Sequence, residues 1–311
     1  MTEATGAGIT GGITGGCVAV TGASGFIGRY LCADLAAAGY SVLRLGRGDG
    51  MDRQTDYSAA SLTDALQGAD AVVHLAGRRM TRDDAPMDLA PFWQPNVAVI
   101  GDLATAAQAN GVRKIILAST IAVYSAGPVY SESSGLPFRE DAPARPINAY
   151  ALSKLMAEAH LEMLTRAAGP TALSLRLAAV YGHGEKGTPA LMRFVDQASA
   201  GQQIVLSGNP DTRIDQIYVR DATAAILAAL RHATARGVFN IGGGAPLALR
   251  AMAEAACDIF GTPGHLRIDY AGHDAMPHPV MDLSRAATGL GWHPAHDLRA
   301  GLADFRATRD A

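Results

Sequence analysis

A parallel α/β fold is predicted for this 311-residue sequence on three observations. From Cys17 to Leu177 short apolar runs alternate with Ala/Leu-rich stretches of helical spacing. The first apolar run leads directly into a glycine-rich turn and a helix start. Beyond Gly182 that regularity gives way to short elements punctuated by prolines. In order, Cys17–Thr21 reads as a strand and Phe26–Ala38 as a helix, because its apolar positions recur at helical spacing. Ser41–Leu45 is the next strand, and Leu62–Leu66 carries a short helical pattern. Ala71–Leu75 reads as a buried strand, as in a sheet covered on both faces. Val97–Ala109 is helical, Lys114–Ser119 a strand, and Tyr150–Ala168 a long helix stopped by Gly169-Pro170. Leu173–Leu177 is the last strand of the series. Strand–helix alternation with right-handed crossovers gives a doubly wound, Rossmann-type parallel sheet with helices on both faces.

Residues 17–182 are therefore expected to form mainly a dinucleotide-binding domain. Residues 183–311 are expected to form mainly a smaller C-terminal substrate lobe, with segments at about 215–242 returning to the sheet. Residues 1–16 are rich in Gly and Thr and cannot bury enough surface to offset their ordering entropy, so a flexible tail is expected there. Lys and Arg number 26 against 29 Asp and Glu, a net charge of −3, which argues against a general nucleic-acid binder. No apolar run reaches the roughly 20 residues that span a bilayer, and the best stretch, Ile115–Val123, is broken by Ser119 and Thr120. Three cysteines with no CxxC pair give no disulfide framework and no zinc site. The C-terminal histidines match no ligand spacing, so no metal is expected. The cytoplasm is the expected compartment.

The first strand–turn–helix reads Val18-Ala-Val-Thr21-Gly22-Ala23-Ser24-Gly25-Phe26-Ile27-Gly28, a GxxGxxG spacing. Gly22 permits a tight turn, Gly25 admits backbone amides to a pyrophosphate, and Gly28 lets the helix pack close to its strand. A purely structural turn is the alternative. At the end of the second strand an NAD site carries an acid for the ribose 2′-hydroxyl. Here the stretch reads Leu45-Gly46-Arg47-Gly48, with no carboxylate and with a planar cation suited to a 2′-phosphate. NADP is therefore the expected cofactor, with NAD as the alternative, unless Arg47 is a solvated turn residue.

Tyr150 and Lys154 stand four apart, on one helical face. A phenol with a reference pKa of about 10 is a poor base at neutral pH, and a neighbouring cation lowers it. The strand tip at Ser119-Thr120 offers hydroxyls to a reacting oxygen.

Together these residues resemble the extended short-chain dehydrogenase/reductase family, the group of nucleotide-sugar epimerases, dehydratases and related ketoreductases. The resemblance runs from about Cys17 to about Trp292. It is carried by TGASGFIG (Thr21–Gly28), VVHLAG (Val72–Gly77), STIAVY (Ser119–Tyr124), YALSK (Tyr150–Lys154), LRLAAVYGHG (Leu175–Gly184), IYVRDATAA (Ile217–Ala225) and FNIGGG (Phe239–Gly244). It implies Thr120, Tyr150 and Lys154 as catalytic residues, with Lys154 also on the cofactor ribose. It implies Asn96 as a residue supporting the site, where a helix N-cap is the structural alternative. Asp56-Tyr57 resembles the pair beside the adenine. Leu75-Ala76-Gly77 resembles the stretch passing the cofactor ribose and phosphates, with Arg79 as a phosphate contact. Ser119, His183 and Arg213 are candidate substrate contacts. The family resemblance also implies a homodimer through the helices near Val97–Ala109 and Tyr150–Arg166.

Two positions depart from the sugar-nucleotide members. Ala179 stands where they often carry Asn, and the stretch from Tyr270 to Pro279 lacks their Arg-Pro-Gly-Asp. The leading expectation is an oxidoreductase transferring hydride between NADP(H) and a carbonyl or secondary alcohol of a small substrate such as a sugar-like compound. The second is a nucleotide-sugar epimerase with tightly held NAD. A dehydratase would carry an Asp-Glu pair after Thr120, where this chain has Ile121-Ala122. A non-catalytic NADP-sensing regulator is the third, and the Tyr150/Lys154 pair argues against it.

Overall fold

A computed structural model describes residues 12–124, 137–166, 169–185, 190–261, 264–270, 272 and 280–310. The chain runs through β1 (Cys17–Thr21), α1 (Phe26–Ala37), β2 (Ser41–Gly46), β3 (Arg53–Gln54), α2 (Ala59–Ala65) and β4 (Ala71–His74). A short α3 (Ala90–Phe92) runs into a π-helix (Trp93–Ala98) and then α4 (Val99–Ala109). There follow β5 (Lys114–Thr120), α5 (Ala149–Thr165), β6 (Thr171–Leu177), β7 (Ala179–Tyr181), α6 (Ala190–Ser199), β8 (Ile204–Leu206) and β9 (Arg213–Tyr218). The C-terminal third adds α7 (Val219–Arg231), β10 (Gly237–Ile241), β11 (Pro246–Ala248), α8 (Leu249–Phe260), β12 (Leu266–Ile268), α9 (Ser284–Leu290) and α10 (Leu298–Asp310).

The main sheet has seven parallel strands in the order β10-β6-β5-β4-β1-β2-β3. The order reverses between β1 and β4, where the carboxyl ends of two strands open a crevice. This is the doubly wound Rossmann-type architecture. Val18, Val20, Val72, Val73, Ile115 and Ile116 are all at 0% exposure, because helices cover both faces of the sheet. One face packs with α1 and α7 residues such as Leu31, Leu35 and Ile226, and the other with α2, α4 and α5 residues such as Leu62, Leu103 and Leu161. A separate apolar cluster joins α6, α8 and α10 through Leu191, Phe194, Met252, Leu302 and Phe305. Beside it lie a three-stranded sheet, β11-β9-β7, and a two-stranded one, β12-β8.

The expected tail, residues 1–16, falls largely outside the described residues, which begin at 12. Its end is not loose. Ile13 is 2% exposed, its amide donates to the Leu230 carbonyl at 3.0 Å, and its carbonyl accepts from the Tyr40 hydroxyl at 2.6 Å. One buried isoleucine and two hydrogen bonds offset the ordering of this short stretch, which glycine content alone does not reveal.

Lys114, at the start of β5, is buried beneath the end of α7. Its ammonium donates to the carbonyls of Ala229 (2.9 Å), Leu230 (3.2 Å) and His232, carbonyls that the helix itself leaves unpaired. Removing it strands the Ala229 and His232 carbonyls, while Leu230 keeps the Ile13 amide. Lys114→Ala is expected to lower stability by about 1–3 kcal/mol, read as a lower urea midpoint with unchanged cofactor affinity of the folded protein. An unchanged midpoint would show that water satisfies the helix end.

Candidate active site

The glycine-rich turn closes tightly at the crevice. Gly22 has φ +69°, and a Cβ there would stand 2.8 Å from the Ala76 amide nitrogen. A Cβ on Gly28 would stand 2.2 Å from the Gly22 carbonyl oxygen, so only glycine lets α1 approach β1 this closely. Gly25, at the helix N-cap, contributes no capping side chain, and the first turn of α1 carries no acid. The amides of Phe26 and Ile27 therefore point from a positive helix end into the crevice, an arrangement that fits a pyrophosphate. Ser24 stands exposed at the tip of the turn.

At the end of β2 the structure joins two expected residues. The Arg47 guanidinium lies 5.4 Å from the centre of the Tyr57 ring, and a hydrogen bond links the Tyr57 hydroxyl to the Gly22 backbone. Tyr57 holds φ +70°, a left-handed conformation that costs a non-glycine residue about 1 kcal/mol or more. Asp52, in the same loop, gives both carboxylate oxygens to Arg44, at 2.8 and 3.1 Å. The Asp56 carboxylate turns to the Ser58 amide at 2.8 Å, which holds it well below the usual carboxylate range.

His74 ends β4, fully buried. The Ala76 amide donates to the Thr21 hydroxyl at 3.3 Å, and that hydroxyl lies 2.9 Å from His74 Nδ1. Burial pushes His74 down to about 3, so the ring is neutral and shares a hydrogen bond with Thr21 through Nδ1. The pair ties the glycine turn to the Leu75-Ala76-Gly77 loop across the crevice. Asn96 clamps the far end of that loop. Its Oδ1 accepts from the Arg78 amide at 2.8 Å, and its Nδ2 donates to the Arg78 carbonyl at 3.0 Å and to Ser153 Oγ at 2.9 Å. Asn96 is thus no N-cap. It sits inside the π-helix, 3% exposed, where the wider turn directs it into the site. Arg79, expected on a phosphate, instead grips both carboxylate oxygens of Glu185 at 2.8 and 3.1 Å, joining the β4 loop to the β7 loop.

The Thr120 hydroxyl and the Tyr150 phenol are hydrogen-bonded. Asn148 caps α5 by accepting from the Ala151 amide at 2.8 Å, which fixes where the Tyr150 turn begins. A Cβ at Gly77 would stand 2.9 Å from Asn96 Oδ1 and 3.7 Å from Lys154 Nζ, so the glycine leaves the lysine room. The expectation that Lys154 lowers the phenol needs correction. Burial pushes the Tyr150 phenol up, and the opposing influences are the Thr120 hydrogen bond and the Arg79 charge. Burial also pushes Lys154 down, to about 8, against the pull of Glu158. Desolvation acts on both groups before their mutual charge does.

Ser119, expected to meet substrate, faces the other way. Successive strand residues point to opposite faces, so Thr120 takes the crevice while Ser119 is buried and hydrogen-bonded to Glu158. His183 is packed against Phe305, with ring centres 5.9 Å apart, and its carbonyl accepts from the Tyr30 hydroxyl. Arg213 lies exposed at the start of β9, 3.4 Å from the Pro246 carbonyl. Among the described residues no contact joins either to Thr120, Tyr150 or Lys154. His273 and His278 lie outside the described residues. Sequence reasoning passed over Glu158, Arg176, Ser153, His74 and Glu185. Of these, Glu158 had a visible signal, since it stands four residues beyond Lys154 on the same helical face.

The pattern of the NAD dependent epimerase/dehydratase family matches residues 18–242. The chain belongs to that family. It is similar to the UDP-glucose 4-epimerase of Mycolicibacterium smegmatis, 30% identical over 91% of this chain and 95% of the relative. It is also similar to the dTDP-6-deoxy-L-talose 4-dehydrogenase (NAD(P)(+)) of Kitasatospora kifunensis, 32% identical over 93% of this chain and 94% of the relative. Among solved structures, UDP-N-acetylglucosamine 4-epimerase from Bacillus cereus superposes with a TM-score of 0.85, at 28% identity over 95% of this chain and 96% of that one. MoeE5 in complex with UDP-glucuronic acid and NAD superposes with a TM-score of 0.79, at 26% identity over 95% and 99%. This family member is an NAD(P)-dependent enzyme of the epimerase or reductase type, in the extended short-chain dehydrogenase/reductase group. No helix among its described residues is long and apolar enough to cross a membrane.

Proposed function

We propose that the enzyme is an NADP-favouring oxidoreductase acting on a carbonyl or secondary alcohol of a small, sugar-like substrate. The observation that carries this reading is Arg47 lying over Tyr57 at the end of β2 while Asp52 is taken up by Arg44. A planar cation free to form paired hydrogen bonds suits a 2′-phosphate, while in the same loop Asp52 is held by Arg44 and Asp49 accepts from Gln54 Nε2 at 3.4 Å.

The geometry supports the following roles. The α1 amides with Gly22, Ser24, Gly25, Phe26, Ile27 and Gly28 hold the pyrophosphate, and Arg47, Asp56 and Tyr57 flank the adenosine end. Leu75, Ala76 and Gly77, clamped by Asn96, pass the ribose and phosphates. When bound, the nicotinamide supplies or accepts the hydride. Tyr150 moves the proton at the substrate oxygen, Thr120 hydrogen-bonds that oxygen, and the Lys154 ammonium holds ribose hydroxyls. Burial keeps the Tyr150 phenol protonated at neutral pH, the form that a carbonyl reduction requires of its acid. Residues 183–311 serve mainly as the substrate lobe, with about 215–242 belonging to the dinucleotide-binding part. Trp93 at 47% exposure and Met163 at 64%, with Leu152 and Leu164, give the π-helix and α5 an apolar outer surface that suits a homodimer. A monomer by sedimentation equilibrium would remove that assembly. The cytoplasm is the proposed compartment.

A second reading, a nucleotide-sugar epimerase with retained NAD, is favoured by the two epimerases above. One experiment separates the two. The purified chain is denatured, its released nucleotide identified, and the stripped protein titrated with NADPH and NADH. Exchangeable binding that favours NADPH is expected. Stoichiometric, tightly retained NAD would overturn the NADP argument and put the epimerase first.

A further inference from the structure

Behind Lys154, away from the crevice, lies a buried charged network. The Glu158 carboxylate receives Arg176 Nη2 at 2.7 Å and Nε at 3.1 and 3.2 Å, and it also receives the Ser119 hydroxyl. Both side chains of this ion pair are nearly fully buried, at 5% and 6% exposure. Arg176 Nη1 donates to the Tyr124 hydroxyl at 2.6 Å, and that hydroxyl donates to Asn240 Oδ1 at 2.8 Å. The network therefore spans α5, β5, β6 and β10. Arg176 sits directly beside Ser119 in the parallel β5–β6 register. A buried ion pair is weak evidence for stability, because apolar residues of similar volume usually serve as well. Its place is informative instead. Glu158 shares a helical face with Lys154 and Tyr150, and through Ser119 it grips the strand end that carries Thr120.

We propose that Glu158, itself held by Arg176, is a positioning residue that keeps the Lys154 ammonium charged and fixes α5 against the Thr120 end of β5. The inference rests on the reading of Lys154 as the group that holds the cofactor ribose. The charged and titratable neighbours of Lys154 are few. From β4 it faces His74, which is neutral. From α5 come Tyr150, protonated, and Glu158. From β5 come the hydroxyls of Ser119 and Thr120, and from β6 comes Arg176, behind Glu158. Arg79 acts on the Tyr150 side. Glu158 is thus the anion that opposes the burial of Lys154, and Arg176 is the cation that keeps Glu158 ionised.

The two dependences run in series, and that makes the test. Lys154 is a cation below its pKa of about 8 and loses its charge as pH rises through that value. NADPH binding to the full chain, followed by NADPH fluorescence between about pH 6.5 and 9.5, should weaken above a bend near that pH. Glu158→Gln is expected to move the bend down by about one unit, weakening binding at pH 8 roughly fivefold. Arg176→Met is expected to move it down as well, because a buried Glu158 carboxylate without its ion partner is held less firmly as an anion. A merely structural pair would shift stability and leave the bend unmoved in both variants, and that result overturns the proposal. If a single variant fails to fold, Glu158→Gln/Arg176→Met removes both charges together. Its bend is expected below that of the wild type by less than the single Gln change gives, and an unmoved bend overturns the proposal. Wild-type protein that binds neither NADPH nor NADH at any pH overturns the cofactor reading, and this inference with it. Wild-type binding with a bend that the variants retain overturns this inference alone.

Discussion

Tyr150→Phe is expected to lower kcat by about 10²–10⁴-fold while leaving NADPH affinity and the fold intact. The ring makes an edge contact with Phe92, centres 6.1 Å apart, and phenylalanine preserves it. What is lost is the O–H hydrogen-bonded to Thr120. The pH sign follows from the raised pKa. A phenol pushed above its ordinary value of about 10 stays protonated throughout the neutral range, so the proton it gives to a developing alkoxide is always present there. Carbonyl reduction should then show no loss on the alkaline side attributable to Tyr150 until well above neutrality. The earlier loss should come from Lys154, near pH 8. Steady-state rates on a panel of ketone substrates, with circular dichroism as the fold control, give the comparison. A Phe variant within threefold of the wild type would mean that another group carries the proton.

The second large effect is on cofactor choice. Arg47→Glu replaces a cation that can pair with a 2′-phosphate by an anion that repels it and can accept from a 2′-hydroxyl. A hydrogen bond to a charged group is worth about 1.5–3 kcal/mol, so the NADPH-to-NADH affinity ratio should fall by roughly 10–150-fold. Added salt should narrow the wild-type preference, since Arg47 is exposed and its attraction is screened. The two dissociation constants, measured on stripped wild-type and variant protein, decide the matter. An unaltered ratio would leave Arg47 a solvated turn residue that rests on Tyr57.

The parts legible in the sequence are those governed by local rules. Gly22, Gly25 and Gly28 announce a tight turn and a close helix because a Cβ at Gly28 would collide with backbone. The central strands announce themselves because burial on both faces demands unbroken apolar runs such as Ala71–Val73. Tyr150 and Lys154 are legible through helical spacing. What escaped depends on residues far apart in the chain. Arg79 and Glu185 meet across 106 positions, and Glu158 and Arg176 need the α5–β6 crossover to bring them together. Ser119 was misjudged for a different reason. Both tip residues carry hydroxyls, and only the parity of the strand says which one faces the crevice. That parity was available, because the neighbour of a crevice-facing Thr120 must point inward. The environment of Tyr150 was illegible altogether, since spacing reveals which groups are neighbours but not how much water each has lost.

The π-helix at Trp93–Ala98 has a consequence for how this chain can change its length. A π-turn holds one residue more than an α-turn, and successive helical positions differ by about 100° around the axis. Removing any single residue there would let the segment relax into an ordinary helix and swing Asn96 off Arg78 and Ser153. One amino acid therefore acts as a spacer that sets the rotational phase of everything before it against α4. Descendants of this sequence can lengthen or shorten exposed connections freely, but this short stretch is under a counting constraint. Asn96 apart, drift in residue identity is tolerable there wherever volume allows, while drift in residue number is not.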